Sequence, residues 1–249
     1  SKTDFTNVSL QGATLKGTDL SMTTMTGVKS GSVTGFPKLP SGWTVSNGYL
    51  IGKGANLTDA NLTRANLTDA HLKDADLTRA NLTAAYLMDA DLHCANLTDA
   101  ILIGADLTRA HLRDANLSGS NLTDAGLAST GLYNAILIGA NLTRAELTKA
   151  NVTDADLTRA NLTKATLTEA DFRNSNLYRC RLAHAVLTRT GFSYANLAWA
   201  NLIGADLDGT ILFGADLTGA DFSRAEWSGT MMSDGSLKPV TNQLLPAEN

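Results

Sequence analysis

Residues 55–74 read ANLTDANLTRANLTDAHLKD, in which alanine opens each group of five and leucine follows two positions later. The same period continues without insertion to residue 227. Thirty of the 35 leucine positions hold leucine, and 29 of the 35 alanine positions hold alanine. Because the phase never breaks, one repeating architecture is predicted for most of the chain.

A period of five excludes the two regular ways of burying one apolar surface. In an α-helix, positions five apart step by about 140° and scatter the leucines around the axis. In a flat strand, they alternate between the two faces. The pattern therefore predicts a chain that turns a corner every five residues and points leucine and the preceding small residue inward. Alanine suits the second inward position because a narrow, leucine-filled interior has no room for a larger side chain.

These groups resemble the A(D/N)LXX motif of the pentapeptide repeat family, and they look most like its cyanobacterial and other bacterial members. The resemblance is continuous over residues 55–230 and looser over 3–27. It implies an all-β fold, a right-handed quadrilateral parallel β-helix with about 20 residues in each coil. Residues one coil apart are then expected to stack, so that columns of surface side chains can be read from the sequence.

The register of the repeat divides the chain into four segments. We expect N-terminal pentapeptide repeats over residues 1–29, a loop insertion with a register shift over 30–54, a continuous β-helix over 55–232 and a C-terminal tail over 233–249.

The insertion is rich in glycine and proline, which favour a loop, but it also carries aromatic residues such as Trp43. Two interpretations remain open. In the first, the loop folds over a side or an end of the rod. In the second, Trp43 and its neighbours form a projecting knob that binds a partner.

The net charge of −4 arises largely from one position of the repeat. Ten acids between residues 55 and 230 directly precede the inward apolar residue, where the resemblance implies Asp or Asn for structural reasons. At the freely variable outward positions, ten acids compare with thirteen Lys or Arg residues. The variable surface is therefore not acidic.

No run of the sequence approaches the roughly 20 apolar residues that a membrane-spanning helix needs. The chain begins Ser1-Lys2-Thr3 without an apolar leader. This start is consistent with the bacterial cytoplasm, or with the periplasm or thylakoid lumen if a leader has been removed.

Between residues 141 and 190, eight Lys or Arg residues outnumber five Asp or Glu residues. We call this segment the basic belt. Stacked guanidinium groups beside a tryptophan are able to bind a phosphate or an acidic partner. The other interpretation is an ordinary solvated surface of mixed charge. The candidate partner-binding residues of the belt and its edge are Arg144, Arg159, Lys164, Arg179, Arg189 and Trp199.

A second cluster contains three of the four histidines. His71, Asp91 and His111 are predicted to stack in one column, with His93 beside Asp91. Imidazoles flanking a carboxylate at about 4.8 Å are suited to a transition metal. A hydrogen-bonded ladder without metal is the alternative, since cationic side chains lie in the neighbouring positions. We assign no metal and no cofactor, and retain these four residues as candidates.

The sequence contains no nucleophile–base set and no glycine-rich phosphate loop, and a uniform rod offers no pocket. It therefore predicts a non-enzymatic β-solenoid scaffold that binds another protein of unknown identity. The alternative is the branch of the family that mimics DNA, interacts with DNA gyrase and protects it from quinolones. Direct nucleic-acid binding is not expected, and self-association through the ends of the rod is left open.

Overall fold

A computed structural model describes residues 3–238 of the chain. Within that range there is no helix, and only four short strands form. They are β1 (Thr3–Asp4), β2 (Thr23–Thr24), β3 (Thr44–Ser46) and β4 (Tyr49–Ile51). Most of the β structure instead consists of single bridges between stacked repeats.

The bridges of the main array are parallel and join residues 20 apart, from Asn56↔Asp76 to Ile211↔Met231. At each bridge the backbone pairs in both directions; for example, Leu57 N–H donates to Asp76 O at 2.7 Å and Asp76 N–H donates to Ala55 O at 2.9 Å. Segments of 20 residues, each containing four repeats, therefore stack into a β-helix solenoid.

Repeats at the same place in successive coils form four columns of the surface. Column 1 contains residues 55–59, column 2 residues 60–64, column 3 residues 65–69 and column 4 residues 70–74, and each column continues at 20-residue intervals. The last residue of every repeat is called its corner residue.

The chain changes direction at the corner residue, which has a left-handed backbone. Asp59 and Arg64 have φ of 59° and 54°, and the same conformation recurs at five-residue intervals along the array. The turn is closed by a bond from Ala60 N–H to Leu57 O at 3.0 Å, as expected for a turn with positive φ at its third residue. Each repeat thus forms one short extended side and one corner.

Leucine and alanine fill the interior, and both Leu82 and Ala80 have no exposed surface. Where the small inward residue is polar, its hydroxyl donates to a backbone oxygen, as from Ser120 to Leu117 O at 2.7 Å and from Thr130 to Leu107 O at 2.8 Å. No buried side-chain polar atom of the described residues lacks a hydrogen-bond partner. The inward assignments made from the sequence are confirmed.

The N-terminal repeats stack on the main array with a shift of register. Thr14↔Thr34 are still 20 residues apart, whereas Lys29↔Asn56 are 27 apart. The extra residues lie mainly between Lys38 and Asn56, where strands β3 and β4 pair in an antiparallel hairpin. The glycine- and proline-rich pattern of residues 30–54 predicted a loop and not this hairpin.

The hairpin turn is made by Asn47 and Gly48, with φ of 49° and 75°. Hairpin side chains donate hydrogen bonds to backbone oxygens of the first column 2 and column 3 repeats. These repeats have no complete coil beneath them. Asn47 Nδ2 donates to Thr63 O at 3.1 Å, and Ser46 Oγ donates to Asn66 O at 3.3 Å. The hairpin therefore takes the place of part of a coil.

At the other end, the chain folds back after the last repeat. Met231 and Leu237 form an antiparallel bridge, and the Lys238 ammonium lies 5.7 Å from the centre of the Trp227 ring. Trp227 packs on Phe222 with ring centroids 4.8 Å apart. Residues 239–249, most of the predicted tail 233–249, lie outside the described residues, as do residues 1 and 2.

Candidate functional site

The acids that precede the inward leucine are held by their own turns. Asp76 Oδ1 accepts from Thr78 N–H at 3.0 Å and from the Thr78 hydroxyl at 2.6 Å. Partial burial acts to raise the pKa of Asp76, but these hydrogen bonds outweigh it and lower the pKa. Acids in this position therefore support the turn.

Corner residues one coil apart form ion pairs. Arg79 binds Asp59 through two contacts of 2.7 and 2.9 Å, and Arg109 binds Asp89 in the same way at 2.8 and 2.6 Å. Bidentate geometry of this kind suits the planar guanidinium group. In each pair the hydrogen bonds from arginine lower the pKa of the aspartate. Stacked corners of opposite charge thus neutralise one another.

Two of the predicted belt residues are neutralised by ion pairs between corner residues. Arg144 binds Asp124 through two contacts of 2.6 Å. Arg189 lies 3.6 Å from Glu169, which also lies 3.6 Å from Lys149. These arginines are therefore partnered within the molecule.

Arg173 is also paired, with Asp171 at 2.6 Å. The remaining four belt cations have no carboxylate at ion-pairing distance among residues 3–238. Arg159 and Arg179 stack at the corner between column 1 and column 2, and Lys164 lies at the next corner of column 2. Arg181 projects from column 2 between them and is also exposed and unpaired. We call Arg159, Lys164, Arg179 and Arg181 the cationic patch.

Arg181 was missed by the sequence analysis. It lies in the position before leucine, which we assigned to structural Asp or Asn, and no other Lys or Arg holds that position between residues 55 and 230. A search for departures from the repeat at this position would have found it.

Two aromatic residues border the cationic patch. The Arg179 guanidinium lies 5.2 Å from the centre of the Tyr178 ring, within the range of a cation–π contact. Trp199, one coil beyond Arg179, is 57% exposed, and its ring lies over the backbone of Gly219. The structure therefore brings together Arg159, Arg179 and Trp199, as the stacking in the sequence predicts.

The histidine cluster is held together by hydrogen bonding and ring stacking. His71, Asp91 and His111 form successive bridges, and His93 Nδ1 lies 2.6 Å from Asp91 Oδ1. The rings of His93 and His111 stack with centroids 5.7 Å apart. Within residues 3–238, no group of three His, Cys, Asp or Glu residues is arranged to hold a metal ion.

Asp91 is the charged centre of this ladder. Partial burial acts to raise its pKa, but hydrogen bonds from the side chain and backbone of His93 outweigh that effect and lower the pKa. His71 lies apart from the stacked rings, next to Gly42 of the insertion. The contacts of these residues fit a structural ladder.

Trp43 lies against the interior. It is half-buried, packs on both the N-terminal core and the main core, and covers Gly52. The exposed aromatic of the insertion is Phe36, which is 97% exposed and borders a shallow groove with Leu39 and Val45. Between the two interpretations of the insertion, these contacts give Trp43 a packing role.

The part of the chain that the structure describes contains no helix long and apolar enough to cross a membrane.

Several solved structures resemble this chain over part or most of its length. HetL, a protein of the cyanobacterium Nostoc sp. strain PCC 7120 involved in heterocyst differentiation regulation, is 29% identical; the match covers 95% of this chain and 92% of HetL, with a TM-score of 0.41. Rfr23 of the cyanobacterium Cyanothece 51142 is 31% identical over 35% of this chain and 61% of its own, with a TM-score of 0.20.

QnrB1, a plasmid-mediated fluoroquinolone resistance protein, is 16% identical over 56% of this chain and 78% of its own, with a TM-score of 0.31. TM-scores this low do not define a function for the chain. Among curated proteins, none matches it significantly.

The family model for pentapeptide repeats matches the chain in 8 copies. The matched residues are 1–29, 55–93, 90–127, 131–163, 155–193 and 192–229. Together with the stacked five-residue repeats of the structure, this match shows that the chain belongs to the pentapeptide repeat family.

Proposed function

We propose that this protein is a non-enzymatic scaffold that binds an acidic protein through the cationic patch. Its coils are taken to be the right-handed quadrilateral helix of the family, with the segments 1–29, 30–54, 55–232 and 233–249 as its organisation. The observation that carries the proposal is the set of four unpaired cations at Arg159, Lys164, Arg179 and Arg181.

The patch is electrostatically unfavourable unless an anion covers it. Arg159 and Arg179 occupy the same corner one coil apart, about 4.8 Å along the axis. Two like charges held at such a separation repel by about 1 kcal/mol in water. Elsewhere, at Asp59–Arg79 and at Asp124–Arg144, the same stacking relationship joins opposite charges. An acidic partner would supply at the patch the carboxylates that the chain itself omits.

The border of the patch favours a protein as the partner. Protein interfaces are enriched in tryptophan, tyrosine and arginine, and their energetic centres combine an aromatic residue with charged neighbours. Trp199 and Tyr178 lie in this relation to Arg179. The exposed side chains of the patch and its border offer contact area to such a partner.

The proposal is tested by affinity capture from the source organism with three forms of the protein. The charge-reversed variant Arg159→Asp/Arg179→Asp is compared with the wild type and with Arg64→Asp/Lys73→Asp, which makes an equal charge change at exposed cations away from the patch. We expect an acidic partner that the wild type and the control retain and that the patch variant loses.

The captured partner is then titrated against the three forms at low and high salt. Affinity that falls at least tenfold in the patch variant, and that falls with salt for the wild type, supports the proposal. Equal affinity of the patch variant and the control would show that the patch is not the binding site.

The DNA-mimicking alternative is favoured by column 3. Each of its cations between residues 65 and 229 is ion-paired inside the column, at Arg109, Lys149 and Arg189. Six of its carboxylates remain without an ion pair, namely Asp69, Asp106, Glu146, Asp206, Asp208 and Glu226.

A gyrase supercoiling assay with added protein separates the two functions. The scaffold proposal predicts no inhibition and no protection from a quinolone at low micromolar concentration. Inhibition that is abolished by Asp206→Asn/Asp208→Asn, but not by Arg159→Asp/Arg179→Asp, would establish the alternative.

A further inference from the structure

Column 2 carries opposite charges on either side of an uncharged row. Bridges join Arg181 to Asn201 and Asn201 to Asp221, so that Asn201 lies midway between the two charged residues. Arg181 and Asp221 are two coils apart, about 10 Å along the axis, and form no ion pair with each other. The molecule therefore presents a positive and a negative group symmetrically about one row.

Asp221 stays charged and available. Its carboxylate accepts hydrogen bonds only from Ser223 among the described residues, and these bonds lower its pKa. The side chain is exposed, as is that of Arg181. Neither group has an ion-pair partner within residues 3–238.

The central row carries no charged side chain, and the ring of His184 lies over its glycine, Gly204. It contains Ile203 and Gly204, both half-exposed, with the exposed ring of Trp199 at the preceding corner. The rows on either side present the small residues Ala183 and Ser223 at the position of Ile203. Ile203 is therefore the largest side chain at its position in these three rows and is available to contact its equivalent in a partner.

We propose that this surface binds a second copy of the chain in an antiparallel arrangement, with a twofold axis at the row of Asn201. The twofold rotation places Arg181 of one copy opposite Asp221 of the other, twice over, and packs Ile203 against its own equivalent. An interface of this kind is self-complementary, as expected for a closed dimer.

The charges select the antiparallel arrangement over the parallel one. In a parallel pair, Arg181 would face Arg181 and Asp221 would face Asp221, which places like charges directly together. Charge complementarity with its own copy is thus a property of the position before the inward residue, since the exposed Arg224 at the corner of the Asp221 row would face His184 of the second copy.

The interface is small. Three coils span about 15 Å of the rod at the spacing of stacked strands. A stable interface buries about 800 Å² on each partner, which is more than three coils of one narrow side provide. We therefore expect a weak, salt-sensitive dimer. The inference goes beyond the proposed function, because the partner is the chain itself.

Sedimentation equilibrium at protein concentrations up to the millimolar range tests the dimer through a charge swap. Arg181→Asp and Asp221→Arg alone are expected to raise the dimer dissociation constant at least tenfold. The double variant is expected to restore it to within about threefold of the wild type. The control Arg64→Asp makes the same charge change in column 2 far from the interface and is expected to have no effect.

Both substitutions are compatible with the fold, because other repeats hold Asp at the same position and Arg181 itself shows that Arg fits there. A wild-type protein that stays monomeric at low salt would overturn the dimer, as would equal effects of Arg181→Asp and Arg64→Asp or a double variant that remains monomeric.

The proposed function fails separately. A wild-type protein that binds the acidic partner but stays monomeric would contradict only the dimer. A variant Arg159→Asp/Arg179→Asp that still binds the acidic partner would contradict only the proposed function.

Discussion

The ring of Tyr194 lies directly over Gly214, so closely that a Cβ on Gly214 would come within 2.5 Å of Tyr194 Cδ1. The same relationship recurs around the whole coil, since four large corner residues lie over four glycines of the next coil. The pairs are His184 with Gly204, Arg189 with Gly209, Tyr194 with Gly214 and Trp199 with Gly219. These glycines thus leave room for the side chain of the preceding coil, whereas the positive φ by itself is also adopted by other corner residues such as Asp59 and Arg64.

The first prediction follows from that contact. Gly214→Ala is expected to destabilise the protein by about 2–4 kcal/mol, because it adds a steric clash to the cost of a left-handed alanine. The control Gly139→Ala has a similar φ of 67° with nothing within 4 Å of the added Cβ. We expect the control to lose only about 1–2 kcal/mol. Urea denaturation of both variants measures the difference.

A double variant separates the steric cost of Gly214→Ala from its backbone cost. Tyr194→Ala/Gly214→Ala removes the ring that the new Cβ would meet, and its stability should approach that of Tyr194→Ala combined with the backbone cost alone. If the ring does not restrict this site, the two glycine variants will denature at the same urea concentration.

The second prediction concerns the inward small position. Ala145 has no exposed surface. Ala145→Leu is expected to cost at least about 1–3 kcal/mol, because the interior has no space for the longer side chain. Ala145→Ser is the control, since Ser120 and Ser175 fill equivalent positions and donate to a backbone oxygen. Unchanged thermal stability of Ala145→Leu would contradict the packing described here.

The third prediction concerns the insertion. Asn47→Ala removes the hydrogen bond to Thr63 O and places alanine at a φ of 49°. We expect a local loss of about 1–2 kcal/mol. Hydrogen exchange should accelerate in the N-terminal repeats and at residues 61–66, while coils beyond residue 100 keep their protection. Uniform acceleration along the rod would argue against a local role for the hairpin.

The fourth prediction concerns acid. Arginine hydrogen bonds lower the pKa values of Asp59, Asp89 and Asp124 in the folded protein below 3.8. A carboxyl group whose pKa is lower in the folded than in the unfolded protein stabilises the fold at pH values above its unfolded pKa. That stabilisation is lost as the pH falls through the folded pKa. The thermal midpoint should therefore fall as the pH drops below about 4.

The acid effect depends on the arginines. The triple variant Arg79→Gln/Arg109→Gln/Arg144→Gln should lose less stability between neutral and acid pH than the wild type does. High salt should diminish the difference, because the pairs are exposed and screened. Parallel pH profiles of the two proteins would show that these ion pairs do not contribute.

Most of the fold was predictable because every group of five residues forms the same local structure. Leu57, Thr58 and Asp59 form one side and one corner, and the next five residues do the same under the same constraints. The stacking of Arg159, Arg179 and Trp199 followed from the period once the resemblance supplied the number of repeats in a coil. The hairpin was also within reach, since Asn47-Gly48 between two β-favouring runs is a strong turn signal.

The candidate site was predictable only as a list of outward residues. Arg144 and Arg159 are equivalent in the repeat, yet Arg144 pairs with Asp124, while Arg159 has no carboxylate at ion-pairing distance among residues 3–238. Arg181 was not predicted because the resemblance assigns its position to structural Asp or Asn. The sequence allows Trp43 to be either a knob or a packed residue, and its contacts with both cores give it a packing role.

The sequence by itself determined which side chains point inward, which support the turns and which are free to vary. It did so because the five-residue period imposes one geometry on every repeat. Only the tertiary structure decided which free charges neutralise one another and where the insertion packs. Those outcomes depend on distances between side chains of different coils, and the insertion has no repeat from which its position could be read.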